Sequence, residues 1–213
     1  MTKRPPDPID ELLGAIPTIV GRSVTAEDRR LFALYLDLFL RWNKVYRMTA
    51  LGSATAIVRD LFVDSLLFLK ALPSPRPLAV VDIGAGAGIP GLVLRLADPG
   101  ISITLLEARR KRVSFLLTAC REMGLTDVAV YDGRAEDLVK ERLDLQSNFD
   151  AAVARSVGTV DRLLPIARAY LKPGGVLVVS SSPGGHSLKA AAGIEVIRLA
   201  GPKGPRVFLR ASI

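Results

Sequence analysis

The sequence predicts an α/β fold: a Rossmann-like parallel sheet that ends in an antiparallel hairpin, flanked by helices and preceded by a helical extension. After residue 78, apolar runs typical of buried strands alternate with amphipathic segments, the order that gives a parallel sheet covered by helices. The first of these runs, residues 78–83, ends in an acid and an isoleucine and passes directly into a glycine-rich loop at residues 84–91. Such a junction is typical of nucleotide-cofactor sites.

The first 70 residues are predicted to form the helical extension. Residues 1–8 are rich in proline and are expected to be frayed. Thr25 with Asp28 resembles a capping box, and apolar residues then recur at spacings of three and four, which predicts a long amphipathic helix. Ser53 can cap a second helix that runs to about residue 69.

Three prolines between residues 73 and 77 separate this extension, residues 1–72, from a second domain, residues 78–213. In the second domain the residues 201–205, Gly-Pro-Lys-Gly-Pro, predict a turn between two final strands. The predicted elements are strand 78–83, helix 89–97, strand 102–106, helix 110–123, strand 127–131, strand 149–154, helix 159–171, strand 175–180 and a hairpin of strands 194–199 and 207–210.

The glycine loop fits two classes of cofactor. Residues 86–91 match the Gly-x-Gly-x-x-Gly dinucleotide fingerprint, and Glu107 lies about where a ribose-binding acid is found. The other register, residues 82–88, resembles the first motif of class I S-adenosylmethionine (AdoMet) methyltransferases. In that register Asp82 serves the ammonium group of the cofactor, directly or through water, and Glu107 accepts hydrogen bonds from both ribose hydroxyls.

The segment Leu171–Val179 favours the second register. Here a helix ends, Pro173 and two glycines turn the chain, and an apolar strand follows, as before the fifth strand of class I methyltransferases. Any connection from a helix to a strand can use such a turn. The turn supports the methyltransferase register because it lies at the expected distance from the glycine loop. We therefore expect AdoMet as the cofactor, with a dinucleotide dehydrogenase as a distant alternative.

Composition is consistent with a folded, soluble, cytoplasmic protein. The chain has 213 residues, 49% of them hydrophobic, and a mean hydropathy of +0.32, which allow a substantial core. No apolar run reaches the roughly 18 residues that cross a bilayer, and the start lacks the apolar core of a signal peptide. Because Cys120 is the only cysteine, an internal disulfide is excluded and no metal site is expected.

The net charge of +8 is placed unevenly. Residues 151–213 carry nine basic side chains against two acidic ones, and a second basic cluster lies where the dipole of a predicted helix disfavours cations. A solvated basic face is the simplest explanation, but the asymmetry favours a nucleic-acid partner. The candidate RNA-contacting residues are Arg109, Arg110, Lys111, Arg112, Lys203, Arg206 and Arg210.

Several short motifs resemble, in order and spacing, the glucose-inhibited division protein B family. They are Trp42-Asn43-Lys44, Met48-Thr49, Asp64-Ser65, the loop 82–91 with its Ile-Pro-Gly end, Gly133-Arg134-Ala135-Glu136 and Arg155-Ser156. The likeness covers roughly residues 28–179. It implies a class I methyltransferase that uses AdoMet to methylate N7 of a guanine in 16S ribosomal RNA. The implied partner is that RNA or a precursor of the small ribosomal subunit, and we expect a monomer.

The resemblance also implies site residues. It places AdoMet against Gly84, Ile89, Ala135, Glu136 and Arg155, with adenine near Ala135 and Glu136. The remaining expected cofactor contacts are Asp82, Ala85, Gly86, Gly88, Glu107 and Ala108. Arg155, at the carboxyl end of the fourth strand, is also expected to position the reactants. Guanine N7 carries a lone pair and no proton, so no general base is expected, and His186 is predicted to lie in a surface loop.

Three departures from the family pattern leave two alternatives open. Arg47 stands where the family usually has Asn, Leu61 where it often has His, and Ser181-Ser182 where it has Lys-Gly. One alternative is a methyltransferase that acts on a small molecule or a protein. The other is a ribosome-assembly factor that binds AdoMet without turnover.

Overall fold

The computed structural model describes residues 7–180 and 193–213, arranged as a seven-stranded sheet with helices on both faces. The N-terminal helices are α1 (Pro8–Val20), α2 (Ala26–Tyr46), α3 (Ala54–Ile57), a π-helical segment (Val58–Val63), α4 (Asp64–Leu66) and α5 (Phe68–Ala71). They are followed by β1 (Leu78–Ile83), α6 (Gly91–Ala97), β2 (Ile101–Glu107), α7 (Arg110–Met123), β3 (Val128–Asp132), α8 (Ala135–Glu141), a short 3₁₀ turn (Leu143–Leu145), β4 (Phe149–Arg155), α9 (Val160–Tyr170), β5 (Leu171–Ser180), β6 (Ile194–Gly201) and β7 (Gly204–Ser212).

The strand order is β3-β2-β1-β4-β5-β7-β6. The five strands from β3 to β5 pair in parallel, and β7 pairs antiparallel with both β5 and β6. The predicted α/β sheet with its C-terminal hairpin is confirmed. Since the order reverses between β1 and β4, a crevice opens there at the carboxyl ends of the strands, where such sheets bind ligands.

Alternate residues of each central strand enter two separate apolar cores. Val80 packs with the N-terminal helices, α6 and α7, whereas Val81 packs with α8 and α9 on the other face. This alternation follows from the period of two along a strand. It explains why the buried strands are apolar at nearly every position.

The long helix α2 begins with the predicted capping box. The Thr25 hydroxyl accepts from the Asp28 amide at 3.1 Å, and the Asp28 carboxylate accepts from the Thr25 amide at 2.7 Å. The middle of its apolar stripe is buried, at Phe32, Tyr35, Leu36, Leu38 and Phe39, whereas Val45 near the end of the helix is 70% exposed. Tyr35 stacks on Phe62 of the π-helical segment, with ring centroids 4.8 Å apart. The extension is therefore part of the main core.

Several boundaries differ from the expectations. A helix already starts at Pro8, because proline is tolerated at a first helical position and the Asp7 side chain accepts from the Ile9 amide at 3.0 Å. Helix α8 was not predicted, and β5 begins at Leu171, four residues before its expected start. The expectations for residues 1–6 and for Ser181, Ser182 and His186 lie outside the described residues.

Within the described ranges, every helix is too short or too polar to cross a membrane.

Candidate active site

The loop after β1 turns sharply because three of its glycines adopt left-handed backbone conformations. Gly84, Gly86 and Gly88 have φ angles of 73°, 61° and 82°, values that residues with a Cβ rarely adopt. The amides of Gly84 and Ala85 both donate to the Leu106 carbonyl at 2.9 Å, which ties the loop to the end of β2. The loop therefore presents backbone atoms at the edge of the sheet.

Asp82 lies beneath this loop and is completely buried. Its Oδ2 accepts a hydrogen bond from the Gly91 amide at 2.8 Å, whereas Oδ1 has no hydrogen-bond partner among the described residues. Burial raises the pKa of Asp82 to about 7, against the opposing effect of the Gly91 amide. An orphaned buried oxygen is costly, and a cationic ligand group would satisfy it.

Glu107 ends β2 and holds the glycine loop from the other side. Its Oε2 accepts from the Gly86 amide and its Oε1 from the Arg109 amide, both at 2.8 Å. Arg112 Nη1 lies 3.8 Å from Oε2. Each carboxylate oxygen has two lone pairs, so the side chain keeps acceptor capacity for ribose hydroxyls.

A cleft of about 530 Å³, here the cofactor cleft, opens at the carboxyl ends of the central strands. This volume lies in the range of small-molecule sites. Its walls include five of the sequence-predicted cofactor residues: Gly84, Glu107, Ala108, Ala135 and Glu136. Asp82 and Gly88 are not part of its walls, since Asp82 lies beneath the loop.

A second pocket of about 260 Å³, here the outer pocket, lies on the other side of the glycine loop. The predicted residues Ala85, Gly86, Ile89 and Arg155 line its inner side. Its opposite wall comes from the N-terminal extension and consists of Phe39, Met48, Thr49 and Leu61. The two spaces share the residues Gly84, Arg112, Ser156 and Val157. A ligand in the cleft and a second molecule in the outer pocket would therefore meet beside Gly84.

Arg155 ends β4 and is held by the π-helical segment. Its Nη2 donates to the Asp60 carbonyl at 2.8 Å and its Nη1 to the Leu61 carbonyl at 3.2 Å. The wider turns of π-helical backbone free carbonyls for such contacts. Nη2 also lies 3.1 Å from Asp64 Oδ2. Burial lowers the pKa of Arg155, and Asp64 opposes the shift. The contacts with the two carbonyls and with Asp64 fix the position of the guanidinium at the wall of the outer pocket.

Asp60 and Asp64 tie the extension to the C-terminal hairpin. Asp64 Oδ1 lies 2.7 Å from Arg206 Nε, and Asp60 Oδ2 lies 2.5 Å from Lys203 Nζ. Burial raises the pKa of Asp64 in spite of its two arginine partners. Burial also acts to raise the pKa of Asp60, but Lys203 and Arg59 outweigh it, and that pKa is lowered.

The structure corrects the expectation that Arg206 faces RNA. Arg206 is only 4% exposed, and its guanidinium pairs with Asp64, so it cannot reach a phosphate. Lys203 is exposed but pairs with Asp60, and Arg210 pairs with Glu195 at 2.6 Å. The cations predicted on the hairpin are thus neutralised within the chain.

The basic cluster at the start of α7 has a different environment. Arg109, Arg110 and Lys111 are exposed, and Arg112 is partly buried beside the cofactor cleft. Among residues 7–180 and 193–213, no carboxylate lies within ion-pair distance of the first three.

Sequence reasoning missed two positioning side chains. The Tyr35 hydroxyl, which lies within the apolar stripe of α2, donates to the Ala87 carbonyl of the glycine loop at 2.6 Å. Asn43 Oδ1 accepts from the Thr49 amide at 2.8 Å and so shapes the loop that lines the outer pocket. The sequence signal for this contact was the hydroxyl of Tyr35 within an apolar stripe, because a buried tyrosine hydroxyl usually finds a hydrogen-bond partner.

No cluster of three or more potential metal-ligating side chains occurs in the part of the chain that the structure describes.

Comparison with known proteins gives consistent matches. Residues 28–183 match the GidB family, described as rRNA small subunit methyltransferase G. The chain is 35% identical over 190 residues to ribosomal RNA small subunit methyltransferase G of Moorella thermoacetica, with 88% of this chain and 79% of that protein covered. It is 36% identical to the protein of the same name from Ureaplasma parvum, with 71% of each chain covered. In fold it is similar to a SAM-dependent methyltransferase from Aquifex aeolicus, with a TM-score of 0.54 at 14% identity over 73% of this chain and 92% of that chain.

Proposed function

The chain belongs to the GidB family, rRNA small subunit methyltransferase G, and from this membership we infer that it methylates N7 of a guanine in 16S rRNA with AdoMet as methyl donor. The observation in the structure that best supports this function is the meeting of two spaces at Gly84. The cofactor cleft and the outer pocket share one edge of the glycine loop. A donor on one side and an acceptor base on the other can approach each other there.

The residues of the cleft fit AdoMet. Glu107 offers acceptor capacity for its ribose, and Ala135 and Glu136 lie at the far wall, where we place adenine. Asp82 lies beneath the loop and does not line the cleft, so we propose that its orphaned oxygen serves the ammonium group through water. When bound, AdoMet supplies a methyl group on a positively charged sulfur. The glycine loop contributes close approach, since Gly84 and Gly86 present no side chain toward either space.

The outer pocket would orient the acceptor. Guanine N7 has an in-plane lone pair and no proton, so the protein need not remove one. We propose that Phe39, Met48 and Leu61 pack on the base and exclude water, and that Arg155 fixes the pocket wall. Holding the two reactants at near-attack geometry can supply several kcal/mol of the barrier reduction.

We further propose that the domain 78–213 carries the cofactor and that the extension 1–72 completes the acceptor site. Support comes from the wall that the extension contributes to the outer pocket. We propose a monomer as the active form. An rRNA or small-subunit precursor as substrate places the reaction in the cytoplasm.

The test is methyl transfer to defined RNA. Purified protein is incubated with isotopically labelled AdoMet and with 16S rRNA, free or in small subunits, from a strain that lacks the gene. Mass spectrometry of nuclease digests should find label in 7-methylguanosine at one site. Label in another nucleoside, or only in a protein or small molecule, would overturn the proposal, and AdoMet binding without transfer would favour the assembly factor.

A further inference from the structure

A groove of about 260 Å³ lies between the end of α2 and the start of α7. Tyr46, Arg47 and Met48 form one wall, and the basic cluster at residues 109–112 forms the other. The Lys111 ammonium lies over the Tyr46 ring, 5.4 Å from its centroid. The groove therefore combines an exposed aromatic ring with five cationic side chains.

The cationic side chains of this groove lie where their positive charge is unfavourable. Arg110 and Lys111 occupy the first turn of α7, where the positive end of the helix dipole repels them. Within the described residues neither they nor Arg47 has a carboxylate within 4 Å. By contrast, the hairpin cations Lys203, Arg206 and Arg210 all have carboxylate partners. An external anion is what would stabilise the groove charges.

The groove is continuous with the outer pocket. Met48 and Arg112 line both. A strand whose target base enters the outer pocket must carry its neighbouring phosphates away from that opening. The groove between α2 and α7 offers these phosphates a positively charged path that shares Met48 and Arg112 with the outer pocket.

We propose that this groove binds the phosphate backbone of single-stranded RNA next to the target nucleotide, so that the strand follows α2 and α7 and not the C-terminal hairpin. The inference rests on the proposed function and deepens it. Arg110 and Lys111 contact phosphates directly, and the Tyr46 ring holds the Lys111 ammonium over the groove. Neither cation lines the cofactor cleft, so their role is separate from cofactor binding.

The test compares two double variants with equal loss of charge. Arg110→Gln/Lys111→Gln removes two groove cations, and Arg41→Gln/Arg121→Gln removes two cations from other turns of the same two helices, where each pairs with an acid. Binding to a 16S rRNA transcript is measured against salt. The groove variant should flatten the logarithmic salt slope by roughly 1.4, at about 0.7 per lost contact with a single strand. The control should keep the wild-type slope, and both should keep wild-type affinity for AdoMet.

Thermal unfolding adds a second readout. Arg110→Gln alone removes a cation from the first turn of α7 and leaves the contact between Lys111 and Tyr46 in place, so this variant should melt at a higher temperature while binding RNA more weakly. If the cluster only stabilised the fold, the substitution would lower the melting temperature instead.

The outcomes separate this inference from the proposed function. Wild-type methylation of 16S rRNA with an unchanged salt slope in the groove variant would overturn the groove and leave the function intact. RNA binding that the groove variant weakens, without any 7-methylguanosine from wild type, would overturn the function and support the groove. Absence of RNA binding by the wild-type protein would overturn both.

Discussion

Asp82 should make the cofactor-free protein less stable as the pH rises. Its ordinary pKa of 3.8 applies to the unfolded chain, and burial raises the pKa in the folded protein to about 7. Between these values the folded state holds a proton that the unfolded state has lost, so the free energy of unfolding falls with increasing pH. The difference between the two pKa values corresponds to roughly 4 kcal/mol of unfolding free energy, at about 1.4 kcal/mol per pH unit, and this stability is lost between pH 4 and pH 7.

The assay is urea unfolding of wild type and Asp82→Asn at pH 5, 6, 7 and 8. Asparagine does not titrate, so the wild type should lose stability relative to the variant between pH 5 and 7 and then level off. Asp28→Asn is a matched control, because Asp28 is also buried but its bond to Arg22 lowers its pKa. Asp28 is ionised in both states above pH 5, so its variant should differ from wild type by a constant amount.

Parallel stability curves for wild type and Asp82→Asn from pH 5 to 8 would refute the argument. In that case the carboxylate would be ionised in the folded protein throughout this range. Oδ1 would then belong to a buried, ionised carboxylate although it has no hydrogen-bond partner among the described residues.

Four further substitutions test the site. Gly86→Val should abolish AdoMet binding in calorimetry yet keep cooperative unfolding, because a branched residue cannot keep the left-handed φ of 61° that shapes the loop, whereas its added Cβ meets the nearest side-chain atom at an ordinary 3.6 Å. Glu107→Ala should weaken AdoMet binding by about 1.5–3 kcal/mol, and an unchanged dissociation constant would exclude its ribose role. Tyr35→Phe should cost about 1 kcal/mol of stability and reduce AdoMet affinity, since the Ala87 carbonyl loses its donor; equal AdoMet affinity would show that the loop needs no such anchor. Arg155→Lys should lower kcat at saturating RNA while AdoMet affinity is kept, because the single ammonium nitrogen of lysine does not reproduce the two guanidinium nitrogens that reach the Asp60 and Leu61 carbonyls; an unchanged kcat would remove its positioning role.

The sequence was sufficient for the elements that local chemistry determines. The capping box at Thr25 sets the start of α2, and the apolar strand before a glycine loop sets β1 and its turn. The boundaries were wrong where a local rule has exceptions. Proline was interpreted as a sign of fraying at residue 8, although it occupies a first helical position there, and the seven-residue helix α8 is too short for a clear period.

The contacts of Arg155 and Arg206 could not be predicted from local sequence patterns, because the residues that they contact are far away in the sequence. Arg155 contacts the carbonyls of residues 60 and 61, which precede it by 95 and 94 positions. Nothing near Arg206 in the sequence distinguishes it from Lys203 or Arg210, yet it alone of the three is buried. Charge composition therefore predicted cations on the hairpin but not which of them are free to meet an external anion.

The contact between Asp64 and Arg206 also bears on when the protein becomes competent during its synthesis. Arg206 is added about 140 residues after Asp64, which at 5–20 residues per second is a delay of the order of ten seconds. Until then the carboxylate lacks one of its two arginine partners, and its burial is correspondingly expensive. The helical run that supplies Leu61 to the outer pocket thus gains its final support only when the hairpin has been made. A nascent chain would be expected to form its cofactor cleft first and its acceptor pocket last.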